Sequence, residues 1–339
     1  MSNQVALQAK THKFLSDKYK GNTSETFASL INSSLSQSGI QLDFNDNKQR
    51  RDAFKAYAEL VDFKTMFVDT LNNILIDKWS ATSESWRIWI NNYELTDFRR
   101  ATITATAYVP QPKKIAPGGE YGITDLYGEQ SNAKLDTYGA MINIERQTIF
   151  DDDISAINSF LSGIANAYDR QIGDKVYSLL KDNPVTFDGR ELFHADHNNV
   201  LVTSSFDNDL LRAIILMGSQ KTHLNDTSAE TVKIQPKYVI VSPDLILSAT
   251  DVIGKYNQGA ALEQQLTVIS EARLIGFSGW FLACDNPSAN LALFTLRNKA
   301  NPEIFTSTTF NHDGLMVKHR MDYDVKPTDY RGLVRVLSA

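Results

Sequence analysis

The sequence predicts an α+β protein organised around one long amphipathic helix, and three observations carry that prediction. Apolar residues at Ile154, Ile157, Leu161, Ile164, Tyr168, Ile172, Val176 and Leu179 recur in steps of three or four, the period of a single helix face. Ala101 to Val109 (ATITATAYV) alternates strictly, and a second strand-like run, Lys134 to Ile144, follows it. From about Asn183 to Lys299, short apolar strands then alternate with helices, the pattern of a compact α/β or α+β domain.

The helix is expected over Asp151 to Asp182. Asp151, Asp152 and Asp153 sit where a helix N-terminus exposes unpaired N–H groups and partial positive charge. Gly163 and Gly173 oppose it, each by roughly 1 kcal/mol relative to alanine. About thirty residues at ~1.5 Å each make a rod of about 45 Å, long for a globular helix.

Between the two strand runs lies PQPKKIAPGGEYGITDLYGEQSNA, whose three prolines and four glycines suit an irregular tip. Thr96 to Gln147 therefore reads as a two-stranded arm, with Lys113, Lys114, Ile115 and Tyr121 near its end. An isolated two-stranded ribbon is marginal in water, so such an arm is expected to lie on another subunit.

Met1 to Trp79 reads helical and polar. Phe27, Leu30, Ile31 and Leu35 mark a short amphipathic helix, and a longer one is expected from about Gln49 to Lys78. Either a helical hairpin with its own small core or an extension packed on a neighbouring chain accounts for it. In the α/β region, helices are expected over Asn208 to His223 and from Pro243 through Val252. Strands are expected at Pro236 to Val241, Leu266 to Ile269, Trp280 to Cys284 and Leu291 to Leu296. The stretch from Asn301 to Ala339 is strand-like again and is expected to pack back beside the long helix.

The 339 residues, 42% hydrophobic and 22% charged, are those of an ordinary folded chain of about two domains. A net charge of −6 with no basic block argues against a nucleic-acid-binding face. Cys284, the sole cysteine, excludes a disulfide framework and a multi-cysteine zinc site. Neither a secretory signal nor a membrane span is expected. No glycine-rich turn follows any expected strand, so dinucleotide and P-loop signatures are absent.

One cluster invites a chemical reading. His194-Ala195-Asp196-His197 offers two imidazoles and a carboxylate, ligand types that transition metals accept, with Glu191 as a base. In an extended segment His194 and Asp196 would converge while His197 points away, which favours histidines that hydrogen-bond a loop backbone. Neighbouring aspartates at a helix start diverge, so Asp151 to Asp153 make a poor cation site. No catalytic set emerges, and the chain is read as non-enzymatic, with no cofactor or metal.

The order of these features resembles the Mu-type major head subunit of tailed phages and, more widely, the Hong Kong 97 capsid fold. INIERQTIFDDD at Ile142 to Asp153 leads into the long helix, VYSLLKDNP closes it, and DGRELFHADHNN follows at Asp188 to Asn199. Arg146, Asp151, Asp152, Asp188, Gly189, Leu192, Phe193, His194 and His197 occupy the family positions. PKYVIVSPDL and GWFLACDNP are similar to two further family passages, and the likeness spans about Ser80 to Leu337.

That resemblance implies a helical N-terminal extension over 1–79, either scaffolding-like or an N-arm. It implies an E-loop ribbon and the spine helix of a peripheral domain over 80–182, an axial domain over 183–299, and C-terminal strands over 300–339 returning to the peripheral domain. It also implies pentamers and hexamers of the chain in an icosahedral virion capsid, assembled in the host bacterial cytoplasm. Portal, scaffolding and decoration proteins are the implied partners, and double-stranded DNA is enclosed without sequence-specific binding or a membrane. An encapsulin-like nanocompartment is the same-fold alternative, and a metal-dependent hydrolase using His194, Asp196 and His197 is the alternative from another class.

Overall fold

The computed structural model describes residues 61–104, 130–145, 154–203, 206–221, 231–232, 234–285, 290–308 and 314–338. The chain forms two compact units. One draws on Met1–Ala81, Gly139–Asn166 and Pro302–Arg320, the other on Thr82–Tyr138, Ala167–Asn301 and Met321–Ala339. Both helices and sheets are present, as the α+β expectation requires. Among the described residues no helix is long and apolar enough to cross a membrane.

In the first unit, helix α1 (Val61–Ser80) packs on strand β10 (Glu303–Thr308). Leu71, Ile74, Leu75 and Trp79 are buried, three or four residues apart apart from the adjacent pair. Strand β10 pairs antiparallel with Leu315 to Arg320 of β11 (Gly314–Pro327) and forms the sheet edge. An edge strand leaves backbone groups unpaired. Asn72 of α1 supplies the missing partner: its Oδ1 accepts the Ile304 N–H at 2.7 Å and its Nδ2 donates to the Ile304 carbonyl at 3.1 Å.

Helix α2 (Ile154–Asp182) is the long helix, 29 residues. Its expected start at Asp151 to Asp153 lies outside the described residues. The apolar stripe is buried at Leu161, Ile164, Tyr168, Ile172 and Val176, and near its end Leu180 is buried in place of the half-exposed Leu179.

The second unit holds a five-stranded sheet in the order β5 (Val200–Thr203), β12 (Leu333–Ser338), β8 (Gly279–Cys284), β6 (Pro236–Val241), β7 (Thr267–Ser270). The outer pairs are parallel and the inner ones antiparallel. Every residue of β8 is buried, the signature of a strand covered on both faces. On one face Trp280, Leu282 and Cys284 meet Leu210, Ala213 and Met217 of α3 (Phe206–Gly218) and Ala249 and Ile253 of α4 (Ile246–Gly259). Gly279 at the strand start has φ +154°, and a Cβ there would run into the Val336 carbonyl of β12.

A smaller assembly in this unit joins β1 (Asn91–Leu95) parallel to β9 (Leu291–Leu296), which pairs antiparallel with Tyr323 to Pro327 of β11. The ribbon consists of β2 (Ala101–Thr104) and β3 (Gln130–Ala133), paired antiparallel from Ala101↔Ala133 to Thr104↔Gln130. Its tip, with Lys113, Lys114, Ile115 and Tyr121, lies outside the described residues, as do Arg146, Asp151 and Asp152.

Two expectations are corrected. The run expected from Lys134 to Ile144 breaks before β4 (Asp136–Glu145), because Ala133 and Leu135 turn into a cluster with Ala292 and Phe294. Helix α3 stops at Gly218, short of His223. Of the stretch expected beside the long helix, Tyr323 and Asp324 of β11 meet Lys175 of α2, and the last strand, Leu333–Ser338, lies inside the five-stranded sheet. Its buried Leu333, Val334 and Val336 fill the slot between β5 and β8.

Replacing Asn72 with alanine strips both groups of Ile304 of their partner. A loss of about 2 kcal/mol is expected, since an unsatisfied buried backbone group costs ~1–3 kcal/mol, and urea denaturation of the full chain measures it.

Candidate functional site in the connection after the long helix

The segment 183–199 begins where Asn183 ends α2 in the left-handed conformation, φ 54°. Its side chain then binds the returning strand. Oδ1 accepts the Phe193 N–H at 2.6 Å, and Nδ2 donates to the Phe193 carbonyl at 3.0 Å and to Glu191 at 2.6 Å. A tight turn closes between them, with Gly189 at φ +79° and the Thr186 N–H bonded to the Arg190 carbonyl at 2.7 Å.

Leu192 and Phe193 are buried by this geometry. Phe193 packs on Phe281 at 5.6 Å between centroids, and Phe277 stacks on the same ring at 4.9 Å. Phe281 alternates with Trp280 and Leu282 along β8, so the connection covers the sheet face opposite α3 and α4. The Arg335 guanidinium from β12 lies over Phe277 at 5.0 Å and Phe193 at 5.9 Å.

The HADH motif folds as a 3-10 turn over Ala195–His197 and not as an extended strand. His194 caps the turn, its Nδ1 accepting the Asp196 N–H at 3.1 Å, and the Asp196 carboxylate lies 3.6 Å from the same nitrogen. His197 turns inward and is 1% exposed. Its Nδ1 faces the Leu192 carbonyl at 3.2 Å and its Nε2 faces the Asp188 carboxylate at 2.8 Å. Both ring nitrogens are thus turned to oxygens of the connection itself.

The His197 ring lies flat on Tyr330, 3.8 Å between centroids and 5° between planes. Arg331 covers the other part of the stack at 4.7 Å from the Tyr330 ring and forms an ion pair with Asp329 at 2.8 Å. Asn199 completes the knot. It donates to the Leu192 carbonyl at 2.8 Å and accepts the His194 N–H at 3.1 Å, while Gln220 donates to the His197 and Asn198 carbonyls.

Asp188 collects the charge of this knot. Burial pushes its carboxyl up, but hydrogen bonds from Thr186, His197 and the Arg190 N–H outweigh that and hold it well below the usual carboxylate range. Arg190 also pairs with Asp196 at 2.9 Å. The structure thus brings His194 to Asp196 and His197 to Asp188, with the two imidazole rings edge to face at 6.0 Å. Among the described residues no group of His, Cys, Asp and Glu has the arrangement of a metal site.

A second polar centre lies along α2 within the same unit, and no periodicity or motif points to it. Asp169 is 1% exposed and accepts from Arg87 Nε at 2.7 Å and the Glu84 N–H at 3.3 Å, while Trp86 donates to its main-chain carbonyl at 3.0 Å. One turn pair further, the Tyr177 hydroxyl meets Ser85 at 2.7 Å and the Trp89 indole N–H at 3.3 Å. Burial raises the Tyr177 pKa, so the hydroxyl stays neutral. Arg273 ties in Glu84 at 2.8 Å, Asp174 at 2.5 Å and Glu271 at 3.1 Å. A mid-helix aspartate and two tryptophans just after Ser80 were the available signals.

The arrangement is one of fixed contacts: polar side chains bind backbone, and charges are paired. Comparison with known proteins gives it a context. A family model described as phage capsid protein matches residues 128–336. No curated protein sequence matches significantly. Among solved structures, the chain is similar to the virus-like particle of Pyrococcus furiosus, with 10% identity and a TM-score of 0.49 over 80% of this chain and 99% of that one. It is similar to the capsid of cyanophage P-SCSP1u, with 9% identity and a TM-score of 0.48 over 74% and 86%. The holo-SrpI encapsulin complex of Synechococcus elongatus PCC 7942 gives 9% and 0.47 over 76% and 88%.

Asp188→Asn is expected to cost about 1 kcal/mol at pH 7, the low end of the range for a hydrogen-bonded group left poorly matched, because Asp188 is only partly buried. Because the folded-state pKa is depressed, the wild-type advantage is full above the ordinary carboxylate value near 4 and fades as pH falls below it. Thermal melts of both proteins should therefore keep their separation from pH 7 to pH 5 and draw together as pH falls from 4 towards 2.

Proposed function

The chain belongs to the phage capsid protein family, which makes it a shell component of a virion, and from that premise we propose that it is the major head subunit of a tailed double-stranded DNA phage. Many copies would close into an icosahedral shell as pentamers and hexamers. The observation that carries this reading is the extent of the family match. Residues 128–336 run from the returning limb of the ribbon through the long helix and both sheets of strands to the last strand.

The finer assignments follow from the order of elements. Within a Hong Kong 97-like fold, α2 would be the spine helix and the β2–β3 ribbon the base of the E-loop. The sheet of β5, β12, β8, β6 and β7 would be the axial domain, entered through the 183–199 connection. Leu192, Phe193, His194 and His197 would then serve as the joint between spine and axial domain, and Arg146, Asp151 and Asp152 would open the spine. A Mu-type subgroup, portal and scaffolding or decoration partners, and an N-terminal extension over 1–79 belong to the same proposal.

In this reading the protein is a non-enzymatic structural subunit, and a negative net charge suits a DNA container, since strong attraction for the genome would impede its packaging and release.

Electron microscopy of the expressed full chain, with and without candidate scaffold, is the direct test, and closed shells are the expected result. Monomers or small oligomers under all conditions would sink the proposal, and shells filled with a protein cargo in the native host would reassign it to a nanocompartment. Deleting Gln111 to Tyr121 is expected to leave the subunit's melting temperature unchanged while abolishing shells. A lowered melting temperature would instead place the arm against its own chain.

A further inference from the structure

Among the described residues β2 pairs with β3 alone. The returning limb is fixed at four successive points. Ser131 donates to the Pro327 carbonyl at 2.9 Å, and Ala133 and Leu135 are buried against Ala292 and Phe294. Thr137 donates to Asp322 at 2.6 Å, and Tyr138 is gripped from three sides.

The grip on Tyr138 centres on Lys175 of the long helix. The Lys175 Nζ donates to the Tyr138 hydroxyl at 2.6 Å and lies 4.4 Å from the centre of its ring. The same ammonium is 5.1 Å from the Tyr323 ring and 3.6 Å from the Asp324 carboxylate, both on β11. Tyr138 and Tyr323 pack at 4.6 Å, and the Tyr168 hydroxyl, about two turns earlier on α2, donates to the Tyr138 carbonyl at 3.2 Å. The Lys175 side chain keeps 29% of its exposure and Asp324 only 9%, so the charge pair is screened from water far more than a surface pair.

A lysine placed so is more than a bridge between two surfaces. The helix, the limb leaving the ribbon and the strand beside it meet at one ammonium group, and the limb's direction is set by how that group divides its contacts. We propose that Lys175 is a positioning residue for assembly: clamped between Tyr138 and the Tyr323–Asp324 pair, it fixes the course of the ribbon's returning limb and hence where the ribbon meets a second copy of the chain, an inference that rests on the capsid reading. The contacts are directional, because the hydroxyl, the ring face and the carboxylate each constrain a different side of the ammonium.

The test compares full-length wild type with Lys175→Met, which keeps the stem and removes the charge, and with Lys175→Arg, which keeps the charge. Lys175→Met is expected to retain the wild-type melting temperature within a few degrees and to show faster amide exchange over 131–138. It is also expected to need a roughly tenfold higher subunit concentration for shell formation, the change that ~1.4 kcal/mol per subunit produces. Arginine should restore most of the assembly. Should Lys175→Met fail to fold, Tyr138→Phe removes only the hydroxyl that accepts from Lys175 and is expected to show the same pattern in milder form.

Unchanged exchange over 131–138 together with wild-type assembly in these variants would overturn the proposal. Wild-type protein that forms no shells under any of the conditions would overturn the capsid reading, and this inference with it.

Discussion

A strand with six buried residues needs a cover on each side, and much of the second unit follows from meeting that need for Gly279–Cys284. Burying apolar area on both faces contributes about 25 cal/mol per Å² of stabilisation only if both covers stay in place. Helices α3 and α4 close one face as ordinary amphipathic elements. The other face is closed by a loop, and a loop has no internal hydrogen-bond ladder to hold its apolar residues against the sheet. The dense polar knot of Asn183, Asp188, His197 and Asn199 is therefore the physical counterpart of burying Leu192 and Phe193. Polar residues that resemble chemistry in the sequence are here the means of keeping two apolar side chains in position.

The long helix solves a related problem with the opposite materials. Its apolar stripe packs as a helix face should, but Asp169 is buried as well, and an isolated carboxylate in such a place would be strongly unfavourable. Arg87, the Glu84 N–H and the neighbouring Trp86 contact make the burial tolerable, at the cost of committing the chain after Ser80 to one path along the helix. Such a site is weak as a source of stability and strong as a determinant of register, because any other alignment strands the charge.

What could be read from the sequence divides along the same physical line. PKYVIV and LALFTL were legible as strands to the residue, and α2 to within a turn, because burial period is a local property. NNYEL and VLVT, which form β1 and β5, were missed: one is polar and half-exposed, the other too short for a period to register. At the site, an extended segment is the expectation for the motif, but a 3-10 turn forms, and it sets the His194 and His197 rings edge to face at 6.0 Å. The partners of His197 were not legible, since Tyr330 is distant in sequence and Asp188 becomes adjacent only through a turn and a 3-10 bend. Asp169 and Lys175 escaped for the same reason: a polar residue on a helix declares its partners only in three dimensions.

The slot taken by the last strand has a consequence in time. Leu333–Ser338 lies between β5 and β8, and β5 pairs with no other strand among the described residues. Chains emerge from the ribosome N-terminus first, at ~5–20 residues per second. Everything before that strand is therefore made while the sheet still lacks an interior member. A subunit cut short before it would carry an open seam where one that includes it has a continuous sheet. The sheet closes only once Leu333–Ser338 has been made, so the fold itself distinguishes a chain that carries this strand from one that lacks it.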